Sequence, residues 1–561
     1  MNRRHFVTKP VTAHRRRRPG RLLVLTSWIG AVLVIGAATA AGQSGFSLGV
    51  AAGDVSDTAA ILWTRPDWLS VVRYELARDE GFAAIEQSGI VLASPENDFV
   101  VKVEVTGLSP ATEYFYRFAV EGDADRVSRV GRFRTAPAPD EAAALRFVFT
   151  GDTGFTFAPF PIVSQAAREE ADFLLWFGDT IYADDPAAVT GIATTLAEYR
   201  QKYREIRSDP YFQEALAALP LWVGWDDHEV TDNYAGADPA VPAEQLEAAY
   251  QAFFAYMPIQ EQQIPEDPFR TYRRFRWGRQ VEFFLLDGRQ YREASAEAAC
   301  RSNPDPLGTV LGPLLASEAC AAQLSEERTL LGGQQLDWLT RGLVESTAEV
   351  KFVVNDVPLS YIGLLPYDRW DGYDAERRAL LEFIDAHEIS GVIFLTTDFH
   401  SNWYNPDLLR YFRRRRGDYQ LTNEVTVVEA IVGPGGVPPL HETVVALATT
   451  VLGRPNGPAL RSVLTGIERH VTGRLQCVSG FTLVETNRVS YAVVEVSPGG
   501  KVAITYRGLA PADAHDPNVV VETFYAAHDD RPPTLPCCLP VLLVALAGWP
   551  ALAARRKRAA R

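Results

Sequence analysis

Residues 174–185, LLWFGDTIYADD, run from an unbroken apolar stretch into Gly178 and Asp179, and then into Tyr182, Asp184 and Asp185. A short run that is apolar on both faces is how a strand reads when it is buried in the middle of a layered α/β sheet. In such sheets the carboxyl end of a strand opens onto the crevice where ligands bind. Three carboxylates and a phenol gathered there cost free energy unless positive charge lies among them. A metal ion is the expected answer.

The same grammar recurs along the chain. LRFVFT (145–150) leads into Gly151-Asp152-Thr153-Gly154, and LWVGW (221–225) into Asp226-Asp227-His228-Glu229, with Asp232 and Asn233 close behind. QVEFFLL (280–286) precedes Asp287, Arg289 and Arg292; KFVV (351–354) precedes Asn355 and Asp356; GVIFLTT (391–397) precedes Asp398 and His400. One acid after one strand is ordinarily a turn former or a helix cap. Six such events, two of them with a histidine within two residues of an acid, point to one shared site. Asp179 is read as a carboxylate bridging two metal ions and Tyr182 as a phenolate ligand; Asp185-Pro186 suits a turn cap. Oxygen and imidazole donors fit Fe(III), Ca²⁺, Mn²⁺ or Zn²⁺. Phosphate esters are the substrates that most need a two-metal clamp, because charge spreads over the phosphoryl oxygens in the transition state. Arg289 is a candidate phosphate-binding side chain, since Arg offers two parallel donors. A structural ion pair with Asp287 or a neighbour stays open for it. His387 and His441 read as structural. His470, His515 and His528 lack an acid at ligand spacing behind a strand.

Around this pattern the chain divides by its periodicity. Residues 45–137 hold many short strands at the spacing of a β-sandwich, among them AAILWTR, VVRYELA and EYFYRFAV. TAPAPDEAAA is a linker. From Leu145 apolar runs alternate with helical stretches at 162–170, 192–204, 243–254 and 375–386, and a further helical segment is expected at 441–470. SYAVVEVSPGGKVAITYRG reads as a closing hairpin. YFRRRRGDYQ (411–420) reads as a solvated loop.

At 561 residues, more than one domain is expected. The formal charge is −15, although residues 1–42 carry eight basic residues and no acid, and the last residues carry five more basic ones. The part between is therefore more acidic than the total, which argues against nucleic-acid wrapping and suits multivalent cations. Arg3-Arg4, a second basic run, an apolar stretch from Leu22 to Ala38 and small residues at 39–41 have the layout of an export signal, with an uncleaved membrane anchor as the alternative. NRRHFV resembles a twin-arginine signal. Residues 536–561 combine Cys537-Cys538, an apolar stretch and a basic end, similar to the tripartite sorting tails of bacterial surface proteins. An extracytoplasmic location, in the periplasm or on the cell surface and with or without membrane anchoring, is expected, the tail contacting membrane or sorting machinery. Cys300 and Cys320 bracket a Gly/Pro-interrupted insertion and could pair, leaving Cys477. No C-x-x-C is present, which argues against a thiolate zinc site.

VTGLSPATEYFYR resembles the tyrosine corner of a fibronectin type III domain. GDTIYAD, WDDHEVTDNYAG, LDGRQYR, LGGQQLDWL and TTDFHSN resemble the PhoD-like alkaline phosphatases, a branch of the metallophosphoesterases. The resemblance covers most of the chain, from FSLGVAAGDVSDTAAILWTR to the closing hairpin. It implies an α/β fold: a layered metallophosphoesterase-like αββα core over 145–510, preceded by a small fibronectin type III-like β-sandwich over 45–137. It implies secreted phosphomonoesterase or phosphodiesterase activity with Fe(III) and Ca²⁺. Asp179, Tyr182, Asp227, Asp398 and His400 would be ligands, and His228 the group that stabilises the transition state or leaving oxygen. Asp152 stands where iron-binding members usually have cysteine. A hard carboxylate there keeps the metal site but makes Mn²⁺ or Zn²⁺ credible beside iron.

The expected function is thus an exported, metal-dependent phosphoesterase that hydrolyses small phosphomonoesters or phosphodiesters by metal-activated water, acting as a monomer. Two alternatives stay open: a phospholipase-like phosphodiesterase of the same fold, and a non-catalytic calcium-binding surface module.

Overall fold

The computed structural model describes residues 45–528, without 237–240, 263, 295–326, 363–367, 415–418, most of 453–478 and 517–520. The segments expected to be an export signal and a sorting tail, and all five cysteines, lie outside the described residues. No described helix is long and apolar enough to cross a membrane.

The N-terminal region forms seven strands: β1 (Val50–Gly53), β2 (Ala59–Thr64), β3 (Ser70–Ala77), β4 (Ile85–Ala93), β5 (Val101–Thr106), β6 (Glu113–Val120) and β7 (Gly131–Arg134). In β6 the alternation puts Tyr114, Tyr116 and Phe118 inward, as a strand with one buried face requires. Strands β4-β3-β6-β7 make one sheet, while β1, β2 and β5 face it across a shared apolar core. The Tyr114 hydroxyl accepts the Ser109 N–H at 2.9 Å, five residues upstream.

The remainder forms two larger layers. Strands β8 (Leu145–Thr150), β9 (Phe173–Phe177) and β10 (Leu221–Gly224) run parallel and in register. The second sheet has its parallel centre in β12 (Val281–Leu285), β13 (Val350–Asn355), β14 (Val392–Thr396) and β16 (Val427–Ile431). Its margins are β11 (Arg273–Trp277), β15 (Asn402–Asn405) and β17 (Leu483–Glu485). The sheets face each other through aromatic rings: Phe147 of β8 lies 5.4 Å from both Phe283 of β12 and Phe352 of β13. Rings at such separations contribute about 0.5–1.5 kcal/mol per pair beyond the area they bury. Parallel strands need crossover segments, and these supply the outer helices. α1 (Pro161–Ala166), α2 (Leu196–Arg207), α3 (Pro210–Ala218) and α4 (Ala243–Tyr256) pack on the first sheet. α5 (Gly332–Glu345) and α6 (Asp374–Ala386) pack on the second. Helices thus flank a double sheet on both sides.

Two features differ from the sequence reading. β1 pairs parallel with β10, so β1, β2 and β5 extend the first sheet on the far side of β10, in the order β8-β9-β10-β1-β2-β5. The linker at 137 separates segments of chain but not of sheet, because β10 would otherwise leave an unpaired edge. The closing hairpin, β18 (Val489–Val496) and β19 (Val502–Leu509), is followed by β20 (Glu522–His528), so the sheet runs beyond residue 510.

Candidate metal centre

Strands β8, β9, β10 and β14 end on one side of the double sheet, and the chain turns sharply after each. Asp152, Asp179, Asp398 and His400 all sit at positive φ, between 47° and 64°. Non-glycine residues avoid this region, and when held there by their surroundings they tend to mark functional sites. The effect is to point side chains from three separate turns inward.

Three groups of donor atoms lie close enough to share a cation: Asp152, Asp179 and His400; Asp179, Asp227 and His228; and Asp226, Asp227 and Asp398. Asp179 belongs to the first two, where a bridging carboxylate belongs. The Tyr182 hydroxyl lies 3.1 Å from His400 Nε2, adding a phenol to the first group. All six expected ligands therefore come together.

A test of whether these residues fit a metal is the state of their polar atoms. Asp152 Oδ2 is buried without a hydrogen-bond partner, a situation that costs about 1–3 kcal/mol unless something else satisfies it. Gly433 makes room for it: a Cβ there would lie 2.5 Å from that oxygen. Burial, with the charges of Asp227 and Glu229 added, pushes the Asp152 carboxyl up to about 8. Burial and neighbouring acids raise Asp179 and Asp398 well above the usual carboxylate range, and the Tyr182 phenol well above its own. Asp227 is the exception: burial opposes its charge, but Arg289 and His228 hold its pKa low. His400 is lowered to about 4 by burial and by the His228 charge, so its imidazole is neutral. Neutral imidazole, carboxylate and phenol gathered together, with one buried Asp152 oxygen left without a partner, form a donor set for a hard or intermediate cation.

Behind the ligands stands a frame. Glu229 accepts the Asp179 N–H at 3.2 Å, the Thr180 N–H and hydroxyl at 2.6 Å each, and the Asp226 N–H at 2.8 Å. It ties the turn after β9 to the turn after β10. Lys202 of α2 donates to the carbonyls of Tyr182 and Asp185, closing the loop between them. Asp184 accepts from His228 Nδ1 at 2.7 Å, and the His228 ring stacks on Tyr182 with centroids 4.1 Å apart. Burial works against the imidazolium, yet Asp227 and Asp184 raise His228 to about 10. Asp185 accepts the Thr156 hydroxyl and the Ala187 N–H, the turn-capping role its place before Pro186 suggested.

Arg289 is placed differently from a substrate-binding residue. It has no exposed surface, and its guanidinium contacts Asp226, Asp398 at 3.0 Å, Asp368 at 3.5 Å, Asp356 at 3.7 Å and Asp227 at 3.8 Å. That corrects the phosphate-binding expectation in favour of an ion pair with neighbours: the guanidinium is occupied by carboxylates, the candidate ligands Asp227 and Asp398 among them. Asp287 is not one of these partners and instead accepts the Thr271 hydroxyl. Asn355 donates to the Val357 carbonyl and accepts the Trp370 indole N–H at 3.3 Å, so its amide is engaged by those groups. Sequence reasoning underrated Asp226, Glu229 and Asp184; for Asp184, spacing from Asp179 within one loop was the only available signal.

Residues 147–443 match the model of the family described as PhoD-like phosphatase, and residues 33–137 match that of the PhoD-like phosphatase N-terminal domain.

The chain belongs to the PhoD-like phosphatase family.

Among curated relatives of this PhoD-like chain, alkaline phosphatase D of Bacillus subtilis (strain 168) is 33% identical over 395 residues, 64% of this chain and 65% of that protein's length. The chain thus matches just under two thirds of that relative. Purple acid phosphatase 15 of Arabidopsis thaliana is 34% identical over 85 residues, 15% of each chain. A solved structure described as PhoD superposes with a TM-score of 0.68 at 24% identity, covering 86% of this chain and 90% of its own. That likeness establishes the mixed α/β fold.

Proposed function

We propose that this PhoD-like protein is an exported, metal-dependent phosphoesterase that hydrolyses phosphomonoesters, phosphodiesters or both. The observation that carries this reading is the gathering of Asp152, Asp179, Asp227, Asp398 and His400 in overlapping donor groups, with Tyr182 against His400 and one Asp152 oxygen buried without a hydrogen-bond partner. Asp152, Asp179, Tyr182 and His400 would hold one cation, and Asp179, Asp227 and Asp398 a second, with Asp179 common to both. Fe(III) with Ca²⁺, or Mn²⁺ or Zn²⁺, suit those donors. When bound, such ions neutralise a phosphoryl group and make water acidic enough to attack it.

The chain's own groups do the rest. His228 has Nδ1 engaged by Asp184, which leaves Nε2 to donate a proton to the departing oxygen. Its ring is only about one-fifth exposed, so it reaches substrate from within the wall of the cleft. Arg289 positions Asp226, Asp227 and Asp398 rather than touching the ester. The acidic body and the lack of a basic footprint favour small phosphate esters over nucleic acid. The N-terminal strands, three facing four with the Tyr114 corner, support a fibronectin type III-like sandwich. The basic and apolar residues 1–42 support export, and the 536–561 tail supports retention at the cell surface.

The test is hydrolysis of p-nitrophenyl phosphate and bis-p-nitrophenyl phosphate by metal-replete protein, beside Asp179→Asn. Turnover that the variant abolishes supports the reading, and the preferred ester narrows the substrate class. A metal-replete wild type that cleaves neither ester ends it.

A further inference from the structure

On the outward face of β3 and β4 stand Leu69, Val71, Ile90 and Leu92, between 42% and 65% exposed, and Trp68 at their border is 37% exposed. Val71 lies directly opposite Leu92 and Arg73 opposite Ile90, so these aliphatic chains share one face. The inward-pointing Val72, Leu76 and Ala93 already belong to the sandwich core. A scattered exposed leucine needs no explanation, but a patch built from neighbouring side chains of two strands marks a surface that binds something. β4 is also the edge strand of the sheet β4-β3-β6-β7, and its sequence IEQSGIVLA holds a single charge, Glu86. Edge strands of soluble proteins are ordinarily protected by charge, by proline or by a cover.

The place where the chain enters indicates the cover. The Gly45 carbonyl accepts the Asp67 N–H at 2.9 Å, and Trp68 lies so close to Gly45 that a Cβ there would come within 2.9 Å of the indole. The chain therefore arrives from upstream at the border of the patch. Residues 22–38 are the apolar stretch of the expected export signal or anchor, and both readings put that stretch into a bilayer. Seven residue steps join Ala38 to Gly45, a reach of about 25 Å at most. A bilayer that holds Ala38 thus comes within reach of the patch.

The charges on the same face are paired across strands, Arg73 with Glu121 at 2.5 Å and Arg117 with Glu75 at 2.7 Å, so no run of like charge meets an approaching surface. Arg126 stands 4.5 Å over the Trp68 ring while it pairs with Asp123 at 2.8 Å. Tryptophan with a cation beside it and branched aliphatics beyond is the composition of a membrane–water boundary. There the indole sits at the level of the headgroups and a guanidinium can reach the phosphates.

We propose that the outward face of β3 and β4 is a lipid-docking surface. It lies on the phospholipid bilayer that residues 22–38 enter, with Leu69, Val71, Ile90 and Leu92 at the acyl boundary and Trp68 among the headgroups. Apolar area leaving water drives the contact, and the short link to Ala38 raises its effective concentration. The metal centre takes no part, so this contact is independent of the hydrolytic activity.

Trp68 reports on the contact in the full chain. Its emission is the difference between wild type and Trp68→Phe, in which Trp28 and Trp549 of the two apolar segments cancel. Without vesicles that difference is expected to be quenched by acrylamide. With vesicles of phosphatidylcholine brominated near the headgroup, it is expected to lose acrylamide quenching and gain quenching by bromine. Leu69→Asp together with Ile90→Asp, both at exposed positions, is expected to abolish the bromine quenching of Trp68 with an unchanged circular dichroism spectrum. A Trp68 difference that bromine leaves untouched overturns the proposal, even where Trp28 and Trp549 are quenched, and so does quenching that survives the two aspartates. Trp68 shielded from acrylamide before any vesicle is added also overturns it. The cover is then a second copy of the chain where dilution restores access, and residues 22–38 themselves where it does not.

Discussion

Asp184 Oδ1 lies 2.7 Å from His228 Nδ1, and the other Asp184 oxygen accepts the Asp232 N–H at 2.8 Å. One carboxylate thus fixes the direction of the imidazole that faces the cleft and favours its protonated form. Asp184→Asn keeps the shape but removes the charge that favours the imidazolium. It is expected to lower kcat about 10- to 100-fold with KM nearly unchanged. Steady-state kinetics on a chromogenic phosphate ester checks this, and an equal rise in KM would argue that Asp184 serves binding instead.

The crowding of acids makes the metal-free protein sensitive to pH. Asp152, raised to about 8, keeps its proton when folded at pH values where the unfolded chain has lost it. Between the usual carboxylate range and about 8 the folded state therefore binds more protons, and stability falls as pH rises through that window. Asp179 and Asp398, raised by burial, act in the same direction. A bound cation removes the penalty. The gain in Tm on adding Mn²⁺ or Ca²⁺ to chelator-treated protein is expected to be larger at pH 8.5 than at pH 5.5. Equal gains at both would contradict the raised carboxyls.

Arg289 neutralises a cluster in which Asp226 and Asp356 have no exposed surface. Removing it leaves buried charges unpaired, which costs about 3–5 kcal/mol. Arg289→Ala is expected to lower the midpoint of urea unfolding sharply. A variant of wild-type stability with a raised KM would return Arg289 to phosphate binding.

Gly433, at φ 133°, leaves its absent side chain's space to the unpartnered oxygen of Asp152. Gly433→Ala crowds that oxygen and strains the backbone. Its expected effect is a loss of metal affinity of about tenfold or more, read by competition with a chelating dye. Unchanged affinity would mean that Asp152 Oδ2 faces no cation.

Much of this was legible beforehand because it is local. Strands apolar on both faces, each followed by Gly, Asp or Asn, forecast a buried sheet with acids at its carboxyl ends, and Asp152, Asp179, Tyr182, Asp227, Asp398 and His400 fall into overlapping donor groups. For Arg289 the sequence left phosphate binding and an ion pair with a neighbour both open, because a strand-end arginine looks the same whether it points into the cleft or behind it. The choice depends on Asp226, 63 residues earlier, and Asp398, 109 residues later. Glu229 was passed over for a related reason: its partners are main-chain N–H groups, which leave no trace in side-chain identity.

By itself the sequence determined the alternation of elements, the chemistry available at each strand end and the family to which the chain belongs. Those follow from residue type and short-range periodicity, which act within a few residues. Only the tertiary structure decided that β1 joins β10, that Tyr182 meets His400 across 218 residues, and that Asp226 turns to Arg289 while Asp227 turns to the shared site. The physical reason is that a buried carboxylate takes the partner that best offsets its lost hydration. Which partner lies in reach is set by long-range sheet pairing and by the left-handed turns that aim each side chain.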